Sequence, residues 1–187
     1  MKVHRTSRVV LAVVVAMLLH PGNVEAATGD SRKTVDAIEY RFTDTGPAIQ
    51  AFRLVAADRG WTQYEIDSWV VAVRDIVGLE SGGCWNLRRG AKLPRAGANC
   101  ATVSGVSRHQ DAGFGQVTKV WWGRRGPVCR QAGLCSAQAV TSSPYNSMLS
   151  LVVALEHDPS LRWSYCYNRH ARSYHRIACN NRGASTV

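Results

Sequence analysis

The sequence predicts a mostly α-helical domain, and three observations lead there. A capping box, Thr62-Gln63-Tyr64-Glu65, opens a run in which Ile66, Trp69, Val70, Val73 and Val77 recur at helical spacing. Two other segments begin on prolines suited to a first helical turn, Pro47 and Pro144. No segment makes a convincing strand, and the chain has neither internal repeats nor low-complexity tracts.

The elements follow in order. Lys2, Arg5 and Arg8 precede an apolar run, Val9 to Leu19, which His20-Pro21-Gly22 breaks. Val24-Glu25-Ala26 then offers small residues for cleavage, so residues 1–26 read as a secretory signal. The apolar run is far shorter than the ~20 residues that span a bilayer. No later segment is long and apolar enough either, so the chain is expected to have no stable membrane anchor. Residues 27–46 are polar and mixed in sign, and are expected to form a tether with little structure of its own. A domain over residues 47–187 follows.

Its first helix starts at Pro47, carries Ile49, Phe52, Val55 and Ala56 on one face, and stops at Gly60. The second starts at Thr62 and ends at Gly82-Gly83, a left-handed stop. A basic, glycine-containing loop covers 86–105. In the segment from Ser107 to Gly123, Gly113-Phe114-Gly115 brings backbone close to a neighbour, and Val117, Val120 and Trp121 begin a short helix. Ser143 and Pro144 open another helix with Tyr145, Met148, Leu149 and Val152 facing inward, and Pro159 ends it. The stretch from Trp163 to His175 is expected to be helical.

All six cysteines, Cys84, Cys100, Cys129, Cys135, Cys166 and Cys179, lie beyond the signal. An even number in an exported chain reads as three disulfides, for which 15 pairings exist. The local choice pairs Cys84 with Cys100, Cys129 with Cys135, and Cys166 with Cys179. Without a C-x-x-C or a tight Cys/His cluster, no metal is expected. His109, His157, His170 and His175 do not form a ligand set, since His170 and His175, five apart, do not share a helix face. No phosphate loop and no Ser-His-Asp set occurs, so no cofactor is expected.

Glu80 stands out. It lies seven residues after Val73 and eleven after Trp69, which at ~100° per residue brings it within about 20° of both. An acid is thus set on the apolar stripe in the helix's last turn. There the helix dipole and desolvation both disfavour its charge. Fraying of the helix, an exposed end, or an arginine partner are the ordinary alternatives.

Three stretches together resemble the catalytic domain of soluble lytic transglycosylases, a lysozyme-like family related in shape to goose-type lysozyme. Glu80-Ser81, closing an apolar helix, is similar to the family's catalytic E-S. Ser107, followed six residues later by Gly113-Phe114-Gly115-Gln116, resembles its S-x-x-G-A-x-G-L-M-Q. Tyr167-Asn168 resembles its A-Y-N-x-G, and Asn146 matches the asparagine between those motifs. The likeness covers roughly residues 60–170. Gln110 and Asp111 replace the family's Gly-Ala, Gly115 its Met, and His170 the last glycine of the third motif.

The resemblance implies a disulfide-stabilised transglycosylase domain that cleaves peptidoglycan glycan strands with one glutamate, Glu80. Ser81, Ser107, Gln116, Asn146 and Tyr167 would contact or shape the substrate. Ordinary glycosidases add a second carboxylate; if Asp111 held a water opposite Glu80, the enzyme would be a hydrolytic muramidase. A basic, non-catalytic wall-binding protein on the same fold is the other alternative. For Trp85, Trp121 and Trp122, stacking on sugar rings competes with burial in the core.

The net charge of +10 suggests an anionic partner outside the cytoplasm. The arginines are spread along the chain and form no nucleic-acid motif, so no nucleic acid is expected. The expected location is the periplasm or the cell exterior, and the transglycosylase resemblance implies a secretion or conjugation machine as a candidate associate.

Overall fold

The computed structural model describes residues 24–88, 92–102 and 111–157. The signal region up to residue 23, Ser107, Tyr167 and the Cys166/Cys179 pair lie outside the described residues, as does the expected C-terminal helix.

Seven α-helices are present among them: α1 (Val24–Ala37), α2 (Gly46–Asp58), α3 (Gln63–Ser81), α4 (Lys119–Trp122), α5 (Pro127–Ala132), α6 (Ala137–Val140) and α7 (Pro144–His157). A 3₁₀ turn occupies Cys100–Thr102. The only strand-like pairings among the described residues are isolated bridges. The mostly α expectation therefore holds. The two local disulfides inside this range form as expected, Cys84–Cys100 and Cys129–Cys135. Such bonds persist in oxidising compartments, and no helix among the described residues is long and apolar enough to cross a membrane.

The local signals act as read. Thr62 accepts from the Glu65 amide at 3.3 Å while the Glu65 carboxylate accepts from the Thr62 amide at 2.8 Å. At the other end Gly82 and Gly83 take φ of 56° and 86°. Ile49, Phe52, Val55 and Ala56 of α2 are buried against α3 and α7.

Residues 27–46 correct the sequence reading. Far from a tether, they contain most of α1 and an irregular link that turns at Phe42-Thr43, and Val35 and Tyr40 belong to the main core. Only Val35 of this helix's described residues is a buried hydrophobe, so no apolar stripe advertises it. Its attachments are largely polar. Ser31 donates to Asp58 at 2.8 Å, Arg32 lies 4.5 Å from the Tyr145 ring centre, and the Tyr145 amide donates to Asp36 at 2.8 Å.

The packing forms two clusters that share α7. The larger joins α1, α2 and α3 to Met148, Leu151, Val152 and Leu155. The smaller gathers Ala112, Val117, Val128, Leu134 and Val140 around Val153 and Ala154. The inward face of α7 is therefore wider than expected. Ser147, Ser150 and every residue from Leu151 to Leu155 are buried, while Leu149 is only half-buried. A helix packed on two sides is apolar nearly all round.

Two tyrosines tie this core to pH. Tyr40 is buried and donates to the Val35 carbonyl at 3.0 Å. Burial, then the Asp36 charge, pushes its phenol well above the usual value. Tyr145 is also raised, first by burial and then by Asp58, against a smaller opposing pull from Arg32. Groups that hold their protons longer when folded contribute stability that is complete below the unfolded pKa near 10 and is lost as pH rises beyond it. Urea midpoints measured from about pH 8 to pH 11 should therefore fall on the alkaline side. Tyr40→Phe should flatten that fall, and an unchanged slope would count against this account.

Candidate active site

Glu80 sits in the last turn of α3, where the sequence register set it. Trp69, Val73, Ile76 and Val77 of the same stripe are fully buried, whereas Glu80 is half-exposed. The stripe here runs to the edge of the core. Glu80 lines a groove of about 280 Å³ together with Phe42, Thr43, Thr45, Leu79 and Leu93. A carboxyl group there has apolar walls and an opening to water.

Phe42, Thr43 and Thr45 of the wall belong to the segment 27–46, for which the sequence predicts a tether. The Phe42 amide donates to the Ala98 carbonyl at 2.9 Å, and the Thr43 amide to the Gly82 carbonyl at 2.7 Å. The Cys100 amide donates to the Tyr40 carbonyl at 2.9 Å, so the loop closed by Cys84–Cys100 is bound to the same wall. A Cβ on Gly82 would overlap the Phe42 ring, and one on Gly83 would overlap the backbone oxygen of Asp44. Both glycines thus serve close approach as well as helix termination.

Gly83→Ala should accordingly cost at least about 2 kcal/mol, combining left-handed strain with a backbone displacement. The measurement is urea unfolding at constant m-value. A loss below about 0.5 kcal/mol would mean that the wall is not held against the helix end.

The second motif folds into a tight hairpin. Ala112 and Val117 exchange both backbone hydrogen bonds, at 3.1 and 2.9 Å, and Gly113 to Gln116 form its tip. The neighbour anticipated for Gly113-Phe114-Gly115 is α7. The Phe114 amide donates to the Ser147 hydroxyl at 2.8 Å. A Cβ on Gly113 would come within 2.6 Å of that hydroxyl, and one on Gly115 within 2.7 Å of Leu151 Cδ1. Phe114 enters the larger cluster, its ring 5.4 Å from that of Tyr40, while Ala112 and Val117 enter the smaller. The hairpin is the seam between the two.

It is also tied to the chain just beyond Glu80. The Leu87 carbonyl accepts from the Gly113 amide at 2.9 Å and from Gln116 Nε2 at 2.9 Å. Gln116 Nε2 donates to the Gly113 carbonyl too, at 3.0 Å. The Gln116 amide nitrogen therefore fastens the hairpin, leaving its oxygen to accept from another group. Arg88 ties the same stretch to the end of α6, its guanidinium donating to the Thr141 hydroxyl at 2.9 Å.

The remaining expected site residues fare differently. Ser81 is largely buried at the edge of the same groove, and its hydroxyl donates to the Val77 carbonyl at 3.0 Å, which engages it with the helix end. Asn146 is half-exposed on the first turn of α7 and donates to the Ser142 hydroxyl at 2.8 Å. The side chain there that reaches the second motif is its neighbour Ser147. A serine amid the apolar residues of α7 was the available signal for it. Asp111 is half-buried and leads directly into the hairpin. Trp85 packs on the larger cluster and Trp121 and Trp122 on the smaller, which favours their reading as core residues. No His, Cys, Asp and Glu group suited to a metal occurs among the described residues.

Two non-glycine residues among those described hold left-handed backbone: Thr43, φ 74°, in the groove wall, and Gln116, φ 45°, in the hairpin. Such conformations are uncommon, most of all for a β-branched residue. Backbone strain of this kind gathers at functional sites.

Comparison of the chain with protein-family models, with curated proteins and with solved structures finds no match.

Proposed function

We propose that this chain is a peptidoglycan lytic transglycosylase in which Glu80 is the single catalytic acid and base. The observation that carries the reading is the placement of Glu80, a carboxyl at the end of a buried helix that also lines an open groove. Apolar walls and the negative end of the helix dipole favour the protonated form that a general acid needs. The hairpin bearing Gln116, bound to the Leu87 carbonyl, supports it.

In this mechanism Glu80 gives its proton to the glycosidic oxygen leaving C1 of N-acetylmuramic acid, and the N-acetylglucosamine chain departs. The substrate's acetamido group stabilises the cation at C1. Carboxylate Glu80 then takes the proton of the muramic 6-hydroxyl as its oxygen bonds to C1, closing the 1,6-anhydro ring. No water is consumed and the glutamate ends protonated. Opening the wall in this way suits an accessory of a secretion or conjugation machine.

The test is the chemistry of the chain ends. Purified peptidoglycan is digested with the oxidised protein, and the soluble products are analysed by mass spectrometry. Anhydro-muramyl ends are the expected result. Reducing ends would assign a hydrolytic muramidase and bring Asp111 forward as the group that holds water. Wall binding without any product would leave a binding module.

A further inference from the structure

Charge is divided unevenly between the two packing clusters. From residue 30 to residue 80 there are nine acids and six basic residues. From Ala112 to Leu155 there is no Asp or Glu at all, while Lys119, Arg124, Arg125 and Arg130 are all present and all exposed. None of these four makes an ion pair among the described residues.

The backbone draws them together. The Gly123 amide donates to the Lys119 carbonyl at 2.7 Å, and the Gly126 amide to the Gly123 carbonyl at 2.7 Å. The turn carrying Arg124 and Arg125 thus folds back over the end of α4. Gly126 packs so closely there that a Cβ would overlap the carbonyl oxygens of Val120 and Trp121. Next to Lys119 in the same turn of helix is Val120, 80% exposed, the most exposed large hydrophobe among the described residues. Trp121 and Trp122 hold α4 from below, Trp122 donating to the Val117 carbonyl at 3.0 Å. The backbone that carries the cations is thus fastened to the smaller cluster, so binding need not order the main chain.

We propose that this face, Lys119-Val120 with the Arg124-Arg125 turn, docks reversibly on an anionic phospholipid surface. The cations answer the headgroup phosphates, and the exposed valine, backed by two tryptophans, answers the interfacial hydrocarbon. A soluble polyanion would satisfy the charges and leave Val120 without a role, which is why a bilayer is the better fit. Docking through α4 and α5 uses none of the residues that line the Glu80 groove.

The test uses protein recovered from an exporting host with its disulfides formed. It is sedimented with vesicles of phosphatidylcholine alone, or of phosphatidylcholine mixed with phosphatidylglycerol. Binding to the anionic vesicles only, weakening with added salt, is expected. Each cation removed should weaken it roughly five-fold, so R124Q/R125Q should lose about 25-fold. Lys33→Gln/Arg74→Gln, equal in charge change but on the other cluster's helices, should cost little. Val120→Ser should weaken vesicle binding several-fold with melting temperature unchanged. The proposal is overturned by absence of vesicle binding, or by equal losses in the two double variants. It is also overturned if Val120→Ser binds normally while soluble polyphosphate competes fully, which would assign the face to a dissolved anionic polymer.

Discussion

Glu80→Gln should abolish release of anhydro-muropeptides, lowering turnover about a hundred- to ten-thousand-fold, the range attributable to a positioned general acid. Glutamine keeps the shape and much of the polarity of the side chain but has no proton to give and cannot take one back. Both halves of the reaction therefore fail together. Binding should survive, because the groove walls of Phe42, Thr43 and Leu93 are untouched. The measurement pairs product release with sedimentation of the variant on insoluble peptidoglycan. Glu80→Asp is the companion. It retains the acid but withdraws it by one methylene, and misplacement on that scale costs on the order of a hundred-fold. Full activity in Glu80→Gln would remove this residue from the chemistry altogether.

The largest stability effect is expected from Phe114→Ala. Phe114 is fully buried at the seam, in the larger cluster beside Tyr40, on a hairpin whose flanking residues enter the smaller one. Removing a buried phenyl ring costs about 3–5 kcal/mol, from lost transfer energy and the cavity left behind. For a chain of this length that is a fall of roughly 6–20 °C in melting temperature. Phe114→Leu keeps most of the volume and should lose about 1.5 kcal/mol. Because Gln116 shares the hairpin, Phe114→Ala should also impair turnover at temperatures where the protein is still folded. A loss under about 1 kcal/mol would show that the two clusters do not depend on this plug.

How much of this was readable in advance differs by element. The ends of α3 are encoded within a few residues of themselves, by Thr62 with Glu65 and by Gly82-Gly83. Such contacts are local, so sequence reveals them. The register of Glu80 on α3 is likewise a matter of helical spacing alone. Its half-exposure is not, since that depends on where the neighbouring segments stop.

The wall of the groove shows the opposite case. Tyr40 to Thr45 is held by the 97–100 loop and the end of α3, partners roughly 40 to 60 residues away. Nothing in a polar, sign-mixed stretch announces partners so distant. The attachment of α1 is similar: Asp36 reaches an amide 109 residues on, at Tyr145. Val120 illustrates a different failure. Its place in a short apolar run suggested an ordinary helix start, but four residues make too little helix to show which side is covered.

By itself, then, the sequence determined the helical character of the chain, the boundaries of α2 and α3, the pairing of cysteines close in the chain, and the face of α3 that carries Glu80. Each follows from interactions spanning at most a few turns or one short loop. Tertiary structure alone decided that Phe42, Thr43 and Thr45 build the groove wall and that α7 serves two clusters. It also engaged both the Ser81 hydroxyl and the Gln116 amide nitrogen with backbone. These outcomes depend on which distant surfaces meet, and burial and hydrogen bonding are settled only when they do.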